Sequence, residues 1–582
     1  MPFSGNDAGG FRWEGFNSGA PSQNARRAAQ RKSRKPMNNT KRTLINILVT
    51  LVVGLPYFYF ELPALNFQDP SFYTFFLLLC VVYCVCAVVT SGFHADSFTG
   101  YFQFVKKQCL IPMLVAVALL VLILIGLLVG ATIFRAKSYA GLLEIQTGDF
   151  VQEVEEISYD QIPMLDKDSA ERLGDRKLGE LSDMVSQFEV NEDYTQINYQ
   201  GRPVRVATLS YADIIKWMTN RGEGLPAYLL VDMVDQSVEL VRLEEGIKYT
   251  TAEHLGRNLY RYLRFRYPTY MFGEAVMEVD ESGVPYWVCP RIIKTIGLFG
   301  GTDIKGGVLV NAITGEHQYY EEVPSWVDNL YNANLIMEQY DYYGMYHNGF
   351  FNSIFGQRDV TVTTEGYNYI AIDDDVYVYT GVTSVGGDQS NVGFILTNQR
   401  TKETHFYEVA GATELSAMAS AEGELQNLRY TATFPLLLNI SGQPTYFMAM
   451  KDAAQLVKMY AMVNVSQYQI VATGDTVAEC ERNYTQMLRE EGILTGAEED
   501  PVDETVQTVE GTVAEIRSAV LSGNTYYYIR LIGSEVYYSI SAVASPEAVI
   551  LNEGDQVTIA YRLEDAQMPE RGILAGESVT LR

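Results

Sequence analysis

The sequence predicts a membrane anchor of three transmembrane helices, followed by α+β repeats in which a helix precedes an antiparallel sheet, and then by a small all-β barrel. Three apolar runs lie within residues 44–134, and a strand-turn-strand pattern recurs four times after them. Only short strands and turns follow residue 505. Because 582 residues exceed a single hydrophobic core, several domains are expected.

The three apolar runs are 44–60, 72–93 and 110–134. A bilayer span needs about 20 apolar residues, so the second and third runs are predicted to cross the membrane. The first run is the shortest and contains polar residues and a proline. Either it also spans, or it only dips into the membrane.

The basic residues of the short flanking segments predict the orientation. Nine Lys and Arg precede residue 44, Lys106 and Lys107 lie between the second and third runs, and the loop between the first and second runs has no basic residue. By the positive-inside rule, the N-terminus is cytoplasmic and the large C-terminal region extracellular. If the first run does not span, the large region is cytoplasmic instead.

The acidic balance limits the classes of partner. The chain has 71 Asp and Glu against 43 Lys and Arg, a net charge of -28, and the negative charge is concentrated after residue 134. Such a region repels nucleic acid, so a protein or cell-wall polymer is the expected partner. The tail 1–43 is basic and poor in aliphatic residues, which predicts disorder and contact with membrane lipid.

The repeat is clearest at 276–288 and 307–320, where Ser282-Gly283 and Thr314-Gly315 predict tight hairpin turns. Related patterns lie at 200–241, 369–407 and 436–471, and helical patterns precede the copies. The predicted helices cover 166–188, 251–267, 325–355 and 413–427.

The strand sequences Val279 to Tyr286 and Val308 to Glu316 resemble the PepSY module of peptidase propeptides and bacterial envelope proteins. The resemblance implies a binding or inhibitory domain without catalytic residues. The copy at 436–471 matches less closely, and the segment Pro290 to Gly306 is a long insertion between hairpins. Gly300-Gly301 and Gly306-Gly307 bracket a loop that we interpret as mobile. The chain as a whole is similar to a group of membrane-anchored proteins from Gram-positive bacteria, which implies no particular biochemistry.

After an acidic linker, the strands beyond residue 505 resemble a small OB-like barrel. Such barrels bind oligonucleotides or oligosaccharides, and Tyr526-Tyr527-Tyr528 could form a stacking platform. Since this module contains no lysine, wall, saccharide or protein contact is favoured over nucleic acid. The predicted organisation is a tail 1–43, spans 44–134, repeats 135–245, 246–324, 325–411 and 412–494, a linker 495–504, and a barrel 505–582.

Catalytic and metal-binding patterns are not found in the sequence, and we expect no cofactor and no enzyme activity. The five histidines lack the spacing of a zinc site, and the run Asp373 to Asp375 is typical of a solvated hairpin tip rather than of a calcium loop. A disulfide between Cys289 and Cys480 is left open.

Two groups of residues are candidates for partner binding. Arg257, Arg261 and Arg264 are spaced to share a helical face, which could bind a polyanion or a partner's carboxylates. Alternatively, they pair with acidic residues of the same region.

The second group is aromatic and consists of Tyr340, Tyr342, Tyr346 and Phe350. Rings with hydroxyl groups are enriched at recognition surfaces. The alternative is an amphipathic helix that packs the repeats together.

These patterns favour a non-enzymatic, membrane-anchored cell-surface protein that binds or scaffolds through its repeats. Two other functions stay open: an inhibitor or chaperone-like regulator of an envelope peptidase, and an accessory subunit of a membrane enzyme or transporter. The sequence does not specify the oligomeric state.

Overall fold

The computed structural model describes residues 39–90, 98–154, 162–372, 374–386, 390–494, 506–521, 524–542, 545–562 and 572–581. It divides into two compact units, with the boundary after Ile125.

The first unit is built from long apolar helices. These are α1 (Asn39–Glu61), α2 (Pro70–Thr90) and α3 (Phe98–Val129), and the last turn of α3 belongs to the second unit. All three helices, including the one that contains the short first run, are long and apolar enough to cross a membrane, in agreement with the three predicted segments. The Thr90 hydroxyl donates to the Asn46 side chain at 2.8 Å, so a polar contact joins α1 to α2.

A short connection follows α3. It consists of α4 (Thr132–Ala140), β1 (Ile145–Gly148) and α5 (Phe150–Glu153). The Asp149 carboxylate accepts from the Val151 amide at 3.2 Å and thereby caps α5.

The first sheet follows α6 (Lys167–Gly179), whose N-cap is Asp166. The elements are β2 (Phe188–Val190), β3 (Thr195–Tyr199), β4 (Arg202–Tyr211), α7 (Ile214–Asn220), β5 (Leu225–Asp232) and β6 (Val238–Ile247). The strand β4 pairs with β2 and β3 on one side and with β5 on the other.

The second sheet has the same order and follows α8 (Leu259–Arg266). The strands are β7 (Met271–Phe272), β8 (Val276–Val279), β9 (Pro285–Ile296), β10 (Gly300–Asn311) and β11 (His317–Tyr320). The mobile loop predicted between Gly300 and Gly307 is wrong, because this segment belongs to β10 and pairs with β9 in a long hairpin with a bulge between Ile304 and Gly307. The glycines that suggested a loop lie at the tip and at the bulge.

The third sheet follows α9 (Ala333–Tyr346), which is shorter than the predicted helical pattern. Asn332 caps its start, and the chain leaves the helix before Gly349, whose φ is +90°. A separate π-helical turn covers Asn352–Gly356. The strands are β12 (Thr361–Thr363), β13 (Asn368–Ile372), β14 (Asp375–Ser384), β15 (Ser390–Asn398), β16 (Thr404–Tyr407) and β17 (Gly411–Ala412).

The fourth sheet lies between α10 (Glu414–Glu424) and α11 (Val477–Glu490). The Ser441-Gly442 turn between its second and third strands has φ values of +52° and +67°, as a two-residue hairpin requires. The strands are β18 (Thr431–Ala432), β19 (Leu436–Ile440), β20 (Gln443–Lys451), β21 (Val457–Asn464) and β22 (Val471–Gly474).

The four antiparallel sheets share one strand order. In each, two short strands pair with the same side of a longer third strand, and the fourth and fifth strands continue the sheet on its other side. The third sheet adds β17 and also β1, which pairs in parallel with β16. The predicted repeat is therefore visible as a common strand order.

The sheets bury their apolar faces in pairs. Residues of the first and second sheets form one continuous core that includes Tyr228 and Trp287. Residues of the third and fourth sheets form another, which also includes Phe150 and Val154 from the connection after α3. A half-buried sheet needs such a partner, so the repeats are stabilised as pairs rather than singly.

The last five strands form a closed barrel. They are β23 (Val506–Leu521), β24 (Asn524–Leu531), β25 (Tyr537–Ser541), β26 (Gln556–Arg562) and β27 (Ile573–Leu581). The strand order around the barrel is β23-β24-β25-β27-β26, and β25 and β27 are parallel. Ile529, Ile540 and Ile559 are fully buried in its core.

Candidate functional site

The three predicted arginines lie around α8 but donate to backbone carbonyls of their own surroundings. Arg264 is only 8% exposed and fixes the loop that follows the helix. Arg257 and Arg261 are half-buried. Their carbonyl acceptors are Arg221 for Arg257, Leu255 at 2.7 Å for Arg261, and Tyr270 at 2.6 Å for Arg264.

Two other arginines of the second repeat lie over tyrosine rings. The Arg266 guanidinium is 3.4 Å from the Tyr262 ring centre, and the Arg291 guanidinium is 3.9 Å from the Tyr270 ring centre and 5.4 Å from that of Tyr319. Among the described residues, neither guanidinium forms an ion pair, whereas Arg202, Arg242 and Arg400 do. We call Arg266, Arg291, Tyr262, Tyr270 and Tyr319 the Arg-Tyr face.

A neutral histidine adjoins the Arg-Tyr face. His317 Nδ1 and the Tyr267 hydroxyl share a hydrogen bond of 2.9 Å. Burial and the neighbouring Arg266 charge lower the pKa of His317. The positive charge of the face therefore comes from its two arginines at neutral pH.

Three of the four predicted aromatic residues form a continuous row. The Tyr342 and Tyr346 rings stack at 6.2 Å, Tyr346 and Phe350 stack at 6.1 Å, and Tyr139 of α4 contacts Tyr342 at 4.7 Å. We call Tyr139, Tyr342, Tyr346 and Phe350 the aromatic row. Tyr340 lies apart in the core between α9 and the third sheet, with 2% of its surface exposed.

The predicted arginines and the aromatic row are at opposite ends of β10. The Tyr262 hydroxyl of α8 donates to the Gly315 carbonyl, in the turn that follows β10. The Tyr139 ring, in contrast, lies beside Gly300 at the start of β10. At about 3.3 Å per residue, the twelve residues of this strand separate the two groups by roughly 40 Å. They do not form one site.

The barrel carries a charged cluster on its surface. Glu515 accepts from the Tyr537 hydroxyl at 2.6 Å, from Arg517 at 2.8 Å and from Arg530 at 3.1 Å. These donors hold the pKa of Glu515 at about 2. Both arginines of the cluster thus share one carboxylate within the barrel. Tyr526, from the predicted stacking platform, donates to Asp475 at 3.2 Å.

A buried carboxyl pair was missed in the sequence. Glu278 accepts from the backbone amides of Asp328 at 2.8 Å and Asn329 at 2.7 Å, and Asp328 accepts from the Asn198 amide at 2.6 Å. Burial raises the pKa of both carboxyls, that of Glu278 to about 7, and the charge of Glu278 further raises that of Asp328. Nothing local distinguishes these two among 71 acidic residues.

The other polar groups singled out in the sequence have structural contacts. His405 bridges Glu153 at 3.1 Å and Glu403 at 3.4 Å. Asp375 pairs with Arg400, and Asp373 lies outside the described residues. Within the described part of the chain, no group of three His, Cys, Asp or Glu is arranged to hold a metal ion.

The disulfide left open between Cys289 and Cys480 does not form. Both cysteines are free and fully buried. Cys289 lies in the core of the first two sheets, and Cys480 in that of the last two. Burial raises the pKa of each thiol, which makes both unreactive in the folded protein.

Comparisons with known proteins assign no family. No protein-family profile matches the chain, and a search of curated proteins found no match. Among solved structures, a variant of B. megaterium levansucrase aligns over 76% of this chain and 96% of its own, with 9% identity and a TM-score of 0.16. A similarity this weak carries no conclusion about fold or function.

Proposed function

We propose that this protein is a non-enzymatic, membrane-anchored binding or scaffolding protein of the cell surface, whose second repeat holds an anionic wall polymer or acidic protein on the Arg-Tyr face. The observation that carries the proposal is the pair of arginines stacked on tyrosines without a carboxylate partner among the described residues. They lie in the repeat whose sequence is most similar to PepSY modules.

The chemistry of the Arg-Tyr face suits an anionic group. A guanidinium held over a ring keeps its remaining N–H donors in a fixed plane, so little side-chain entropy is lost when a carboxylate or phosphate binds. The surrounding region is strongly acidic. Unpaired arginines there would attract an anion locally, while the net charge disfavours nonspecific binding of polyanions elsewhere.

The repeat architecture supports a scaffolding role. Four sheets with one strand order, packed as two pairs, present several outer faces on one body. We propose that these are PepSY-like modules, as the sequence at Val279 to Tyr286 suggests. The barrel is proposed to be OB-like, since its strand order, with the third and fifth strands parallel, is compatible with a five-stranded Greek-key barrel.

Binding to cell-wall fragments tests the proposal. The double variant Arg266→Ala/Arg291→Ala should lower the fraction of full-length protein that cosediments with wall fragments at least about tenfold, because two charge-assisted contacts are lost. Cosedimentation in detergent at low and high salt measures the effect. The matched control is Arg172→Ala/Arg176→Ala, which removes the same charge from exposed positions of α6.

Equal loss in both double variants would mean that only net charge matters, and would contradict the Arg-Tyr face as a specific site. If neither variant reduces cosedimentation, crosslinking on intact cells tests for an acidic protein partner, with the same three proteins: the unaltered chain and the two double variants. A crosslinked species that persists in Arg266→Ala/Arg291→Ala would then reject the face altogether.

Regulation of an envelope peptidase is a second candidate, favoured by the PepSY-like sequence of the β8-β9 hairpin. Its signature would be slower substrate cleavage by a surface peptidase in the presence of the full-length chain. Unchanged cleavage by every peptidase of the same cell surface would exclude it.

A further inference from the structure

An exposed apolar tip follows α9. Phe351, Ile354 and Phe355 are 65%, 51% and 81% exposed, and Phe350 at the same tip ends the aromatic row. Large apolar side chains grouped on the surface of a soluble region mark a contact with another molecule or with lipid. We call Phe351, Ile354 and Phe355 the α9 tip.

The second unit contains the end of the third span. Its first residues, from Gly126, form the last turn of α3, which ends at Val129. The Tyr139 hydroxyl donates to the Gly130 carbonyl at 2.8 Å and closes this end. The position of the bilayer surface relative to the second unit is therefore marked by Gly126 and Gly130.

The tip of the β9-β10 hairpin lies beside the end of α3. A methyl group added to Gly126 would come within 2.8 Å of the Phe299 ring and 2.9 Å of Leu298, two of the three residues at the hairpin tip. Gly126 is one turn inside the end of α3, so the hairpin tip lies at the depth of the membrane interface.

α9 runs alongside β10 toward the β9-β10 hairpin tip and the end of α3. Before the helix, the Tyr331 hydroxyl donates to the Ile304 carbonyl at 3.5 Å. Farther along, Gln339 donates to the Thr302 carbonyl at 2.7 Å. The contact between Tyr342 and Tyr139 comes next, beside Gly130. Along α9, the contact partners therefore lie progressively closer to the β9-β10 hairpin tip. The α9 tip lies beyond the last of these contacts.

The neighbouring surface has the composition of a membrane interface. Ile133 and Phe134, directly after α3, are 45% and 66% exposed. Arg135, Lys137 and Arg358 are exposed close to these apolar residues in sequence, although the region as a whole is acidic. Aromatic rings and basic side chains are favoured where acyl chains meet headgroups.

From these contacts we infer that the α9 tip inserts into the bilayer interface beside the exit of the third span, and so fixes the repeats against the lipid surface. The inserted groups are Phe351, Ile354 and Phe355, with the aromatic row as the rigid support behind them. The inference holds for either orientation of the chain in the membrane, because it depends only on the end of α3.

Photocrosslinking in proteoliposomes tests this insertion. Full-length protein carries p-benzoylphenylalanine at Phe355 or at Phe351 and is irradiated in vesicles of phosphatidylglycerol and phosphatidylethanolamine, and lipid adducts are measured by mass spectrometry. Leu114, exposed on α3, is the positive control, and Phe265, 56% exposed on α8 at the far end of β10, is the matched negative control.

Lipid adducts at Phe355 and Phe351 should be at least about fivefold above those at Phe265 and comparable with those at Leu114. Because Phe355 is 81% exposed, its replacement removes little packing and the protein should fold. Adduct yields at both positions no higher than at Phe265 would overturn the inference. So would adducts to a second protein chain in place of lipid, which would identify the α9 tip as a protein contact.

Discussion

At the scale of single residues, Glu278 and Asp328 link the fold to pH. Both carboxyls are almost fully buried, and Asp328 Oδ1 has no hydrogen-bond partner among the residues that the structure describes. Burial disfavours their charged forms, and two adjacent carboxylates repel each other, so the pair retains a proton near neutral pH. Both backbone amides that donate to Glu278 belong to the segment that follows the second sheet. The carboxyl pair therefore fixes this segment in place.

The raised pKa of Glu278 predicts that stability falls as pH rises from about 4.5 to about 7. Below the ordinary value of 4.5, folded and unfolded chains are both protonated and the contribution is fully present. Between the two values only the folded chain keeps the proton, so the free energy of unfolding decreases by about 1.4 kcal/mol per pH unit for this group. Thermal unfolding of the full chain in detergent across this range measures the slope.

Asp328→Asn should reduce that slope and stabilise the protein above pH 7. The amide keeps an oxygen to accept from the Asn198 amide but binds no proton, so the raised pKa of Asp328 no longer adds to the pH dependence. Asp193→Asn, at an exposed position, is the control and should leave the slope unchanged. An unchanged slope in Asp328→Asn would show that the pair is not the source of the pH dependence.

The arginines show what a sequence can and cannot give at this scale. Helical spacing identified α8 as a cationic element, but it could not distinguish Arg264, which turns inward to the Tyr270 carbonyl, from Arg266, which lies over Tyr262. Arg291 comes from β9, far along the chain. Its approach to Tyr270 depends on how the sheet and helix pack, which leaves no local pattern.

At the scale of elements, α9 is fitted closely to the third sheet. A methyl group on Gly344 would come within 2.2 Å of the Thr361 carbonyl oxygen, which belongs to the β12 backbone and cannot move easily. Gly344→Ala should therefore destabilise the protein by about 1–3 kcal/mol, despite the higher helix propensity of alanine. The midpoint of chemical unfolding measures the change.

The matched control is Gly423→Ala in α10, where the added methyl group meets no atom within 4 Å. Here alanine should stabilise the protein by about 0.5–1 kcal/mol. If both substitutions shifted the midpoint in the same direction, the close approach of α9 to β12 would be refuted.

Hairpins with short turns were predictable because their signal is local. Ser282-Gly283 and Ser441-Gly442 lie at turns between paired strands, as their residue types indicate. The full length of β9 and β10 could not be predicted, because the glycines in this segment resemble a loop when they are considered alone. These are Gly300, Gly301, Gly306 and Gly307. Their strand conformation is imposed by pairing across the hairpin and by contacts with α4 and α9.

At the scale of the whole molecule, the orientation of the spans predicts which region proteases reach. We expect protease treatment of intact cells to remove a C-terminal affinity tag and digest the region after α3, while an N-terminal tag survives. The reason is the basic residues before the first span and between the second and third. Immunoblots for both tags measure the outcome. A C-terminal region that is cleaved only after lysis would reverse the orientation.

The number of spans, the four sheets and the barrel followed from hydropathy and from periodic strand patterns. The packing of one sheet against another could not be predicted, because a strand pattern shows which face of a sheet is apolar but not which sheet covers that face. Trp287 of the second sheet packs with Tyr228 of the first, and Phe447 of the fourth packs in a core with Phe394 of the third.

The strand β1 has a consequence for how the protein is made. It leaves the membrane anchor early in the chain, yet it pairs with β16, and Asn439 of the fourth repeat donates to the Val154 carbonyl just beyond it at 2.9 Å. The ribosome adds more than 250 residues between Ile145 and Thr404, the partners in this register. The segment next to the membrane must therefore wait for the last repeats, and a chaperone has a defined interval in which to protect it.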